Sequence, residues 1–374
     1  MDSSFASFLE AFDYTSPLSL YIHIPFCTSK CSYCAFYSRG GVSCEEKHAY
    51  VLNLVSRIDR LVSLMSGPFH TAFIGGGNPG CLTPEDLLLV CKSVCRKGRP
   101  AEFTTEMNPE SLSESHMECF EYLNRLSMGV QSLDEKALSF LGRNSDLQST
   151  LKGIELSKVF HEKTACRLSY DMITCLPAFH EPVADLSRLL SLSPVNHLSI
   201  YALTVEEGTV LSRSSLVKKL PNSDGQADIL YKIWEFMRSE GFEHYEVSNF
   251  ARSGEVSLHN TVYWDYGQYA GLGESAHSRA FKNGRATAFE VRNGVFLCEE
   301  LTCEQAAEEM VIMGLRHKKG LDLDRLERNW GLSVAPEALP LGFENNVING
   351  CRRLVPDDYG LMNADAAALQ LLSR

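Results

Sequence analysis

The sequence predicts an α/β fold, a partial (β/α)6 TIM-like barrel followed by a small C-terminal α/β domain. Short runs rich in strand-forming residues alternate with segments whose apolar residues recur at helical spacing. This alternation is typical of a parallel sheet built from βαβ units. About six such units precede residue 210, which suits an open barrel better than a closed eight-fold one. A chain of 374 residues is also too long for one average domain and long enough for two.

Local patterns predict the individual elements. Alternating apolar residues with β-branched or aromatic side chains predict strands at 18–24, 71–74, 101–106, 127–131, 167–173, 197–204 and 242–247. Apolar residues at helical spacing predict helices at 45–64, 114–125, 135–141, 146–160, 183–192, 227–239, 304–315 and 323–329. Thr83 followed by Pro84 marks a further helix start, because a hydroxyl caps the first turn and proline fits inside it.

These elements divide the chain into three predicted regions. Residues 1–250 form the barrel, residues 251–300 form a connecting segment, and residues 301–374 form the small C-terminal domain. In a barrel of this kind the chemistry lies at the carboxyl ends of the strands. Polar and glycine motifs follow the predicted strands at those ends, beginning at Cys27, Gly75, Glu106 and Gln131.

Composition excludes several classes of protein. With 44% hydrophobic residues the chain has enough apolar surface to fold, so disorder and fibrous repeats are excluded. A formal net charge of −12 gives no overall basic surface, so nucleic acid is not an expected partner. The first Lys or Arg is Lys30, and no apolar run approaches the ~20 residues of a membrane-spanning helix. We therefore expect a cytoplasmic protein with reduced cysteines, for which peripheral membrane contact stays open.

Three of the 13 cysteines form the most specific motif. Cys27, Cys31 and Cys34 follow the first predicted strand in a loop after Pro25. Thiolates at this spacing bind zinc or an iron–sulfur cluster. Zinc would need a fourth ligand, and no Cys or His follows closely, whereas three thiolates on a four-iron cluster leave one iron open. The alternative is three buried cysteines at helical spacing, although no apolar stripe accompanies them. The other ten cysteines are expected to be structural.

The glycines Gly75, Gly76 and Gly77 follow the second predicted strand. With Gly80 they match the G-x-G-x-x-G pattern of a dinucleotide site, but Pro79 interrupts the turn and the next helix starts too late for that site. Backbone without side chains beside the cysteine motif fits the close approach of a cofactor. A tight turn from strand to helix is the remaining interpretation.

The cysteine motif resembles the signature of the radical S-adenosylmethionine superfamily, C-x3-C-x2-C followed closely by an aromatic residue, here Phe36. The resemblance implies a [4Fe–4S] cluster held by Cys27, Cys31 and Cys34. It also implies S-adenosylmethionine bound to the open iron through its amino and carboxylate groups. An electron donor is a further partner if the cluster cleaves the sulfonium to start radical chemistry.

Over residues 18–330 the sequence is similar to the oxygen-independent coproporphyrinogen III oxidase-like family. Motifs of that family occur in order at 21–27, 106–109, 124–132, 141–143, 171–177, 197–201 and 245–250. The resemblance implies that Tyr21 lies near the cluster-bound cofactor. It also implies contacts with S-adenosylmethionine from the matching residues Gly76, Gly77, Glu106, Gln131, Arg143 and Asp171. The sequence departs from the family pattern at Asn78, Ser145, Ala178 and Glu274, so the resemblance does not carry the family's substrate and cofactor contacts over to these positions.

His259-Asn-Thr-Val-Tyr263-Trp264 resembles a motif of the haem-chaperone branch of this family, where it is linked to haem binding. A neutral imidazole is a usual axial ligand of haem iron, so His259 is a candidate haem ligand. A hydrogen-bonded structural histidine is the other interpretation. The absence of a further cysteine two positions after Cys34, and the short segment before Cys27, also favour this branch.

The resemblance implies a haem chaperone that binds a [4Fe–4S] cluster and S-adenosylmethionine and transfers haem to an unidentified acceptor protein. The rival interpretation is an enzyme, an oxygen-independent coproporphyrinogen III dehydrogenase that decarboxylates propionates in porphyrin biosynthesis. A third interpretation is a structural metal module without a redox role.

Overall fold

The structure is a computed structural model that describes residues 3–335 and 339–373. Its centre is a sheet in which successive strands of the chain pair in parallel. These strands are β1 (Ser19–Ile24), β2 (Thr71–Gly76), β3 (Glu102–Met107), β4 (Arg125–Gln131), β5 (Arg167–Thr174) and β6 (His197–Ala202). The predicted α/β class with a parallel sheet is confirmed.

Shorter strands extend both edges of the parallel part. Next to β6 the edge is completed in antiparallel fashion by β7 (Glu243–His244) and β8 (Asn249–Ala251). On the other side β9 (Tyr269–Leu272) pairs in parallel with β1. Antiparallel strands then follow: β10 (His277–Lys282), β11 (Arg285–Arg292) and β12 (Val295–Leu301). The described part of the chain thus contains a sheet of twelve strands.

Helices connect these strands. Up to β6 they are α1 (Ser3–Glu10), α2 (Cys44–Leu64), α3 (Pro84–Val94), α4 (Glu135–Leu141), α5 (Leu147–Thr164) and α6 (Pro182–Leu192). Beyond β6 they are α7 (Ser223–Ser239), α8 (Leu258–Trp264), α9 (Cys303–Gly314), α10 (Leu323–Trp330), α11 (Asp358–Met362) and α12 (Ala364–Leu372). As predicted, Thr83 caps α3, because its hydroxyl accepts a hydrogen bond from the Asp86 N–H at 3.2 Å.

The C-terminal part has its own small sheet and core. Its strands are β13 (Leu321–Asp322), β14 (Phe343–Ile348) and β15 (Cys351–Pro356), which pair in antiparallel fashion. Met310 of α9, Leu326 of α10 and Leu354 of β15 are buried together there. This cluster is separate from the main core, which lies along the parallel strands.

Residue alternation along β1 produces two different faces. Leu20, Ile22 and Ile24 are fully buried and belong to the main hydrophobic core. On the opposite face, Tyr21 stacks against Phe73 of β2 with ring centroids 6.2 Å apart. Because side chains alternate in a strand, Tyr21 and the buried His23 share this second face. This face carries the polar groups described below.

Two predicted elements differ in the structure. The segment 114–125 is not an α-helix: a 3₁₀ helix covers Glu114–Glu121, and Arg125 already begins β4. The reason is a tertiary contact, since the Asn124 side chain accepts from the Phe103 N–H at 2.7 Å and joins this turn to β3. The strand predicted at 242–247 is limited to Glu243–His244.

The predicted connecting segment, residues 251–300, contains regular structure. It carries α8, β9, β10 and β11 and most of β12. The predicted boundaries after 250 and 300 fall inside β8 and β12. The division into three domains stays a prediction.

Candidate functional site

The cysteine loop, residues 27–34, lies directly beyond the carboxyl end of β1. Backbone hydrogen bonds fix both of its ends. The Cys27 N–H donates to the Arg39 carbonyl at 3.1 Å, and the Ser32 N–H donates to the Leu141 carbonyl at the end of α4, also at 3.1 Å. The Ser32 hydroxyl donates to the same Leu141 carbonyl at 2.8 Å. The loop is therefore held between β1 and α4.

The three thiols of this loop are partly exposed and not bonded to one another. Burial raises the pKa of the Cys27 thiol to about 11, and it also raises the pKa of the Cys34 thiol. Among the described residues no three His, Cys, Asp or Glu side chains already stand together as a metal-binding group.

Two glycines allow close approach beside the loop. A Cβ atom at position 77 would lie 2.7 Å from the Phe26 carbonyl oxygen and 3.0 Å from Cys27 Sγ. Gly76 has a φ of +116°, a conformation that favours glycine, and its Cβ would lie 2.8 Å from the His23 ring. The Gly77 N–H donates to the Ile24 carbonyl at 2.9 Å. This stretch is therefore packed against β1 and the cysteine loop.

Two half-buried carboxylic acids lie on β3 and β5, the strands on either side of β4. Burial, with the nearby Asp171 carboxyl, raises the pKa of Glu106 on β3 to about 8, although the Gly76 N–H donates to it. Burial also raises the pKa of Asp171 on β5, against hydrogen bonds from the Ser199 and Ser127 hydroxyls. Since both pKa values are raised, a cationic ligand between these carboxyls would favour their ionised forms.

Arg143 joins the cysteine loop to the end of β4. Its Nη2 donates to the Gly129 carbonyl at 2.8 Å and to Asn108 Oδ1 at 3.2 Å. Its Nη1 lies 3.6 Å from Cys31 Sγ. The Nε atom is buried without a hydrogen-bond partner among the described residues, so one donor of the guanidinium is left for a ligand.

Gln131 lies beside this arginine with an unusual backbone. Its φ is +68°, which is uncommon for a residue with a side chain. Gly129 leaves the necessary room, because a Cβ there would lie 2.9 Å from Gln131 Nε2. Gln131, Arg143 and the cysteine loop are therefore brought together by the structure.

Tyr21 connects this region to a large cavity. Its hydroxyl is hydrogen-bonded to His23 Nδ1 at 3.0 Å, and His23 Nε2 is bonded to the Tyr37 carbonyl oxygen at 3.1 Å. The aromatic cavity, of about 550 Å³, begins at these side chains and lies within the ~300–1,000 Å³ of ordinary ligand pockets. Aromatic residues from four segments line it: Tyr21, Phe36, Tyr37, Tyr263, Trp264 and Tyr269. Such walls suit a flat apolar ligand.

His259 does not line this cavity. It lies near the amino end of β2, where its Nδ1 is hydrogen-bonded to Thr71 Oγ1 at 2.8 Å. Its Nε2 is bonded to the Tyr263 hydroxyl at 2.8 Å, and its ring stacks on Phe73 with centroids 5.2 Å apart. Burial lowers the pKa of His259 to about 4. In this conformation both ring nitrogens are already used, which corresponds to the structural interpretation of this histidine.

The amino end of α8 explains this position. Glu102, at the start of β3, accepts hydrogen bonds from the Leu258 N–H at 3.0 Å and from the His259 N–H at 2.9 Å. The carboxylate also forms an ion pair with Arg167, and its side chain is fully buried. This contact keeps His259 at the end of the strands opposite the cysteine loop.

Comparison with known proteins supplies the family. Residues 21–190 match the family model described as the Radical SAM superfamily. The chain is 33% identical over 345 residues to "Radical S-adenosyl methionine domain-containing protein 1, mitochondrial" of Mus musculus, and the match covers 88% of this chain and 73% of the relative. The chain belongs to the radical SAM superfamily.

Further relatives support the HemW-like branch of the superfamily. The heme chaperone HemW of Escherichia coli (strain K12) is 33% identical over 278 residues, which cover 72% of each chain. The fold is similar to that of coproporphyrinogen III oxidase (HemN) from Escherichia coli, reported as a radical SAM enzyme, with a TM-score of 0.77. That match covers 98% of this chain and 93% of HemN at 20% identity, and it shows the partial-barrel fold alone.

These relatives bear on location as well as on family. Some are named mitochondrial, while others come from bacteria. Within residues 3–335 and 339–373, no helix is long and apolar enough to cross a membrane. The cytoplasmic location stays a prediction.

Membership of the radical SAM superfamily implies a [4Fe–4S] cluster and S-adenosylmethionine. The residues present fit both groups by their chemistry. The cysteine loop supplies three soft thiol donors, and the glycines at 76 and 77 leave room beside Cys27. Arg143 offers a cationic donor for a carboxylate, and Glu106 offers a carboxyl whose ionised form a cationic ligand would favour.

The four departures from the family pattern have different local consequences. Asn78 Oδ1 accepts from the Gly80 N–H and the Asn108 N–H, at 3.1 and 3.3 Å, and so keeps the turn after β2 closed. Glu274 accepts from the backbone N–H groups of the β11–β12 turn. The Ser145 hydroxyl is buried without a partner among the described residues, and Ala178 is exposed.

Sequence reasoning missed several residues of this superfamily member's site. Arg125 is buried on β4 below the carboxyls, and it lowers the pKa of Glu106 and Asp171 against the effect of burial. His277 and Arg279 of β10 line the aromatic cavity. The i, i+2 spacing of His277 and Arg279 in an alternating segment is the signal from which a shared strand face could have been predicted.

Proposed function

We propose that the chain is a haem chaperone that binds a [4Fe–4S] cluster and S-adenosylmethionine, holds haem in the aromatic cavity and transfers it to an acceptor protein. The observation that carries this proposal is the position of the aromatic cavity, directly beside Tyr21 and His23 and within reach of the cysteine loop. Its flat aromatic walls suit a porphyrin. The HemW-like relatives support the choice of haem.

Cys27, Cys31 and Cys34 would hold the cluster. When bound, the cluster supplies a single electron at an iron atom that has an open coordination position. Arg143 would orient the carboxylate of S-adenosylmethionine through its unpartnered Nε. Glu106 and Asp171 would hold ribose hydroxyls and favour the cationic sulfonium near their carboxyls.

The path from the cofactors to haem would run through β1. A Cβ atom at Gly76 would lie 2.8 Å from the His23 ring, so the glycine lies close beside that ring. His23 is bonded to Tyr21, whose ring forms part of the cavity wall. Binding of S-adenosylmethionine at the glycines would therefore press on two residues that line the haem site. This contact offers a way for the cofactor to order haem binding or trigger haem release without turnover of a porphyrin.

The test uses anaerobically purified, iron-reconstituted full-length protein. Iron content and cluster absorbance are expected to be lost in Cys31→Ala and retained in the matched control Cys303→Ala, an exposed cysteine outside the loop. Haem titration of the wild type is expected to show stoichiometric binding, and haem should pass to an apo-haemoprotein acceptor. Decarboxylation of coproporphyrinogen III coupled to formation of 5′-deoxyadenosine would instead establish the rival enzyme.

A further inference from the structure

We propose that His277 and Arg279, two residues of β10, form the haem-binding pair of the aromatic cavity: His277 ligates the iron, and Arg279 binds a propionate. This inference rests on the proposed function, because it assigns contacts within the same cavity. It differs from the sequence-based candidate His259, which lies at the other end of the strands.

Both residues point to the same side of β10. Side chains of a strand alternate between its faces, so positions 277 and 279 share one face about 6.6 Å apart along the strand. Their neighbours Ser278 and Ala280 are buried on the other face. His277 and Arg279 both line the aromatic cavity. One ligand lying against this strand would therefore contact both.

His277 is the available histidine of the cavity. His23 also lines it, but both of its ring nitrogens are hydrogen-bonded, to the Tyr21 hydroxyl and to the Tyr37 carbonyl oxygen. His259 is buried with both nitrogens bonded as well. The imidazole of His277 is exposed and has no hydrogen-bond partner within the described ranges. A nitrogen lone pair that is not engaged can bind an iron without breaking a protein contact.

Arg279 has an unused hydrogen-bond donor that suits a propionate. Its Nη2 forms an ion pair with Glu309 Oε1 at 2.6 Å, and the side chain is only 14% exposed. Its Nη1 is buried and has no partner among the residues described. Buried guanidinium groups normally use these donors, so the free Nη1 indicates a missing acceptor. A haem propionate supplies that acceptor as a charged carboxylate.

The Glu309 carboxylate is not the missing acceptor for Arg279 Nη1. It already accepts hydrogen bonds from Arg279 Nη2 and from the Tyr266 hydroxyl, at 2.6 and 2.8 Å. Glu309 therefore holds the guanidinium of this cavity-lining arginine in place, while the donor capacity of Nη1 stays unused.

Ferric haem and haem dimethyl ester, titrated into the full chain and followed by absorbance, test the two contacts separately. Wild type is expected to give a histidine-ligated spectrum. His277→Ala should lose that spectrum and recover it when free imidazole is added, whereas the matched control His70→Ala, an exposed histidine outside the cavity, should bind like wild type. An unchanged spectrum in His277→Ala, or its loss in His259→Ala with a preserved fold, would overturn the assignment of the ligand.

Arg279→Gln should weaken haem binding by about tenfold to a hundredfold, because a charge-assisted hydrogen bond is lost. The same variant should bind haem dimethyl ester as the wild type does, since the ester has no carboxylate. Arg213→Gln, at an exposed position outside the cavity, serves as its control. Equal weakening of both probes would overturn the propionate contact. Absence of haem binding by the wild type would contradict the proposed function itself, an outcome distinct from either result with the variants.

Discussion

The His259 imidazole and the Tyr263 hydroxyl are joined by a hydrogen bond of 2.8 Å across one turn of α8. Tyr263 faces the aromatic cavity, whereas His259 is buried behind it and bonded to Thr71. The histidine thus fixes the orientation of a cavity wall. The H-N-x-x-Y-W motif therefore forms a structural unit in which His259 supports Tyr263.

Replacement of this buried histidine should destabilise the protein. His259→Ala removes two hydrogen bonds and a stacked ring, and we expect a loss of about 2–4 kcal/mol in the free energy of unfolding. The measurement is urea unfolding at neutral pH, with the exposed His277→Ala as the matched control, expected to be within about 0.5 kcal/mol of wild type. Equal stability of the two variants would show that the buried contacts contribute nothing.

The lowered pKa of His259 also predicts that the stability of the protein depends on pH. Because the folded pKa of about 4 lies below the usual 6.5, the neutral form is favoured by folding. Its contribution to stability is present above pH 6.5 and is lost as the pH falls toward 4. The difference in stability between wild type and His259→Ala should therefore shrink over this range. The lowered pKa of His259 would be contradicted if the difference in free energy of unfolding between the two proteins stayed constant from pH 7 to pH 4.5.

Glu106 predicts a pH dependence of cofactor binding. With a pKa raised by burial to about 8, its carboxyl is mostly protonated at neutral pH in the free protein. Since a cationic ligand favours the ionised form, S-adenosylmethionine affinity should rise with pH by up to about tenfold per unit below pH 8. Calorimetry from pH 6 to pH 9 measures this slope. It should vanish in Glu106→Gln and persist in Glu114→Gln, an exposed control.

The glycine at position 77 is predicted to be essential for the cysteine loop. A methyl group there would lie 2.7 Å from the Phe26 carbonyl and 3.0 Å from Cys27 Sγ, so Gly77→Ala should displace the thiol. We expect reduced iron content and cluster absorbance after reconstitution. Gly67→Ala is the matched control, because a Cβ at that position meets no atom within 4 Å. Full cluster incorporation in Gly77→Ala would show that the cysteine loop can accommodate the methyl group and still bind the cluster.

The ion pair of the buried Glu102 with Arg167 should contribute more to the free energy of unfolding than a surface ion pair does. Burial alone would raise the pKa of Glu102, but the guanidinium groups of Arg125 and Arg167 lower it. Glu102→Ala removes the fully buried partner of these guanidinium groups and should cost about 3–5 kcal/mol in the free energy of unfolding. The exposed pair Arg285–Glu300 gives the comparison, and Glu300→Ala should cost about 0–1 kcal/mol. Denaturant titration of both variants checks this difference.

Much of the barrel could be predicted from sequence because its elements have strong local patterns. The strands from β1 to β6 are short apolar runs bounded by polar residues, and α3 begins at a Thr-Pro capping sequence. The 3₁₀ helix at Glu114–Glu121 was not predictable in the same way. Its end is set by Asn124, which bonds to Phe103 on another strand, and such a contact leaves no periodic pattern.

The proposed cofactor region has a local sequence signal, whereas the aromatic cavity does not. The cysteine loop and the glycines after β2 are each contiguous in sequence, so their spacing alone indicates the chemistry. The aromatic cavity instead combines Tyr21, Tyr37, Tyr263 and Arg279, which come from distant segments. Only the pairing of β9 with β1 brings them together, and that pairing skips most of the barrel in sequence.

The alternation of β1 limits how this protein can change during evolution. A shift of one residue in its register would turn Tyr21 and His23 into the apolar layer and bring Leu20 and Ile22 toward the cofactors. Insertions or deletions within the strand would therefore damage the core, the cofactor region and the cavity at once. We expect sequence changes that alter ligand preference to occur in the segments around β1, such as β10 and the residues that follow Cys34. The sequence of β1 itself should change little.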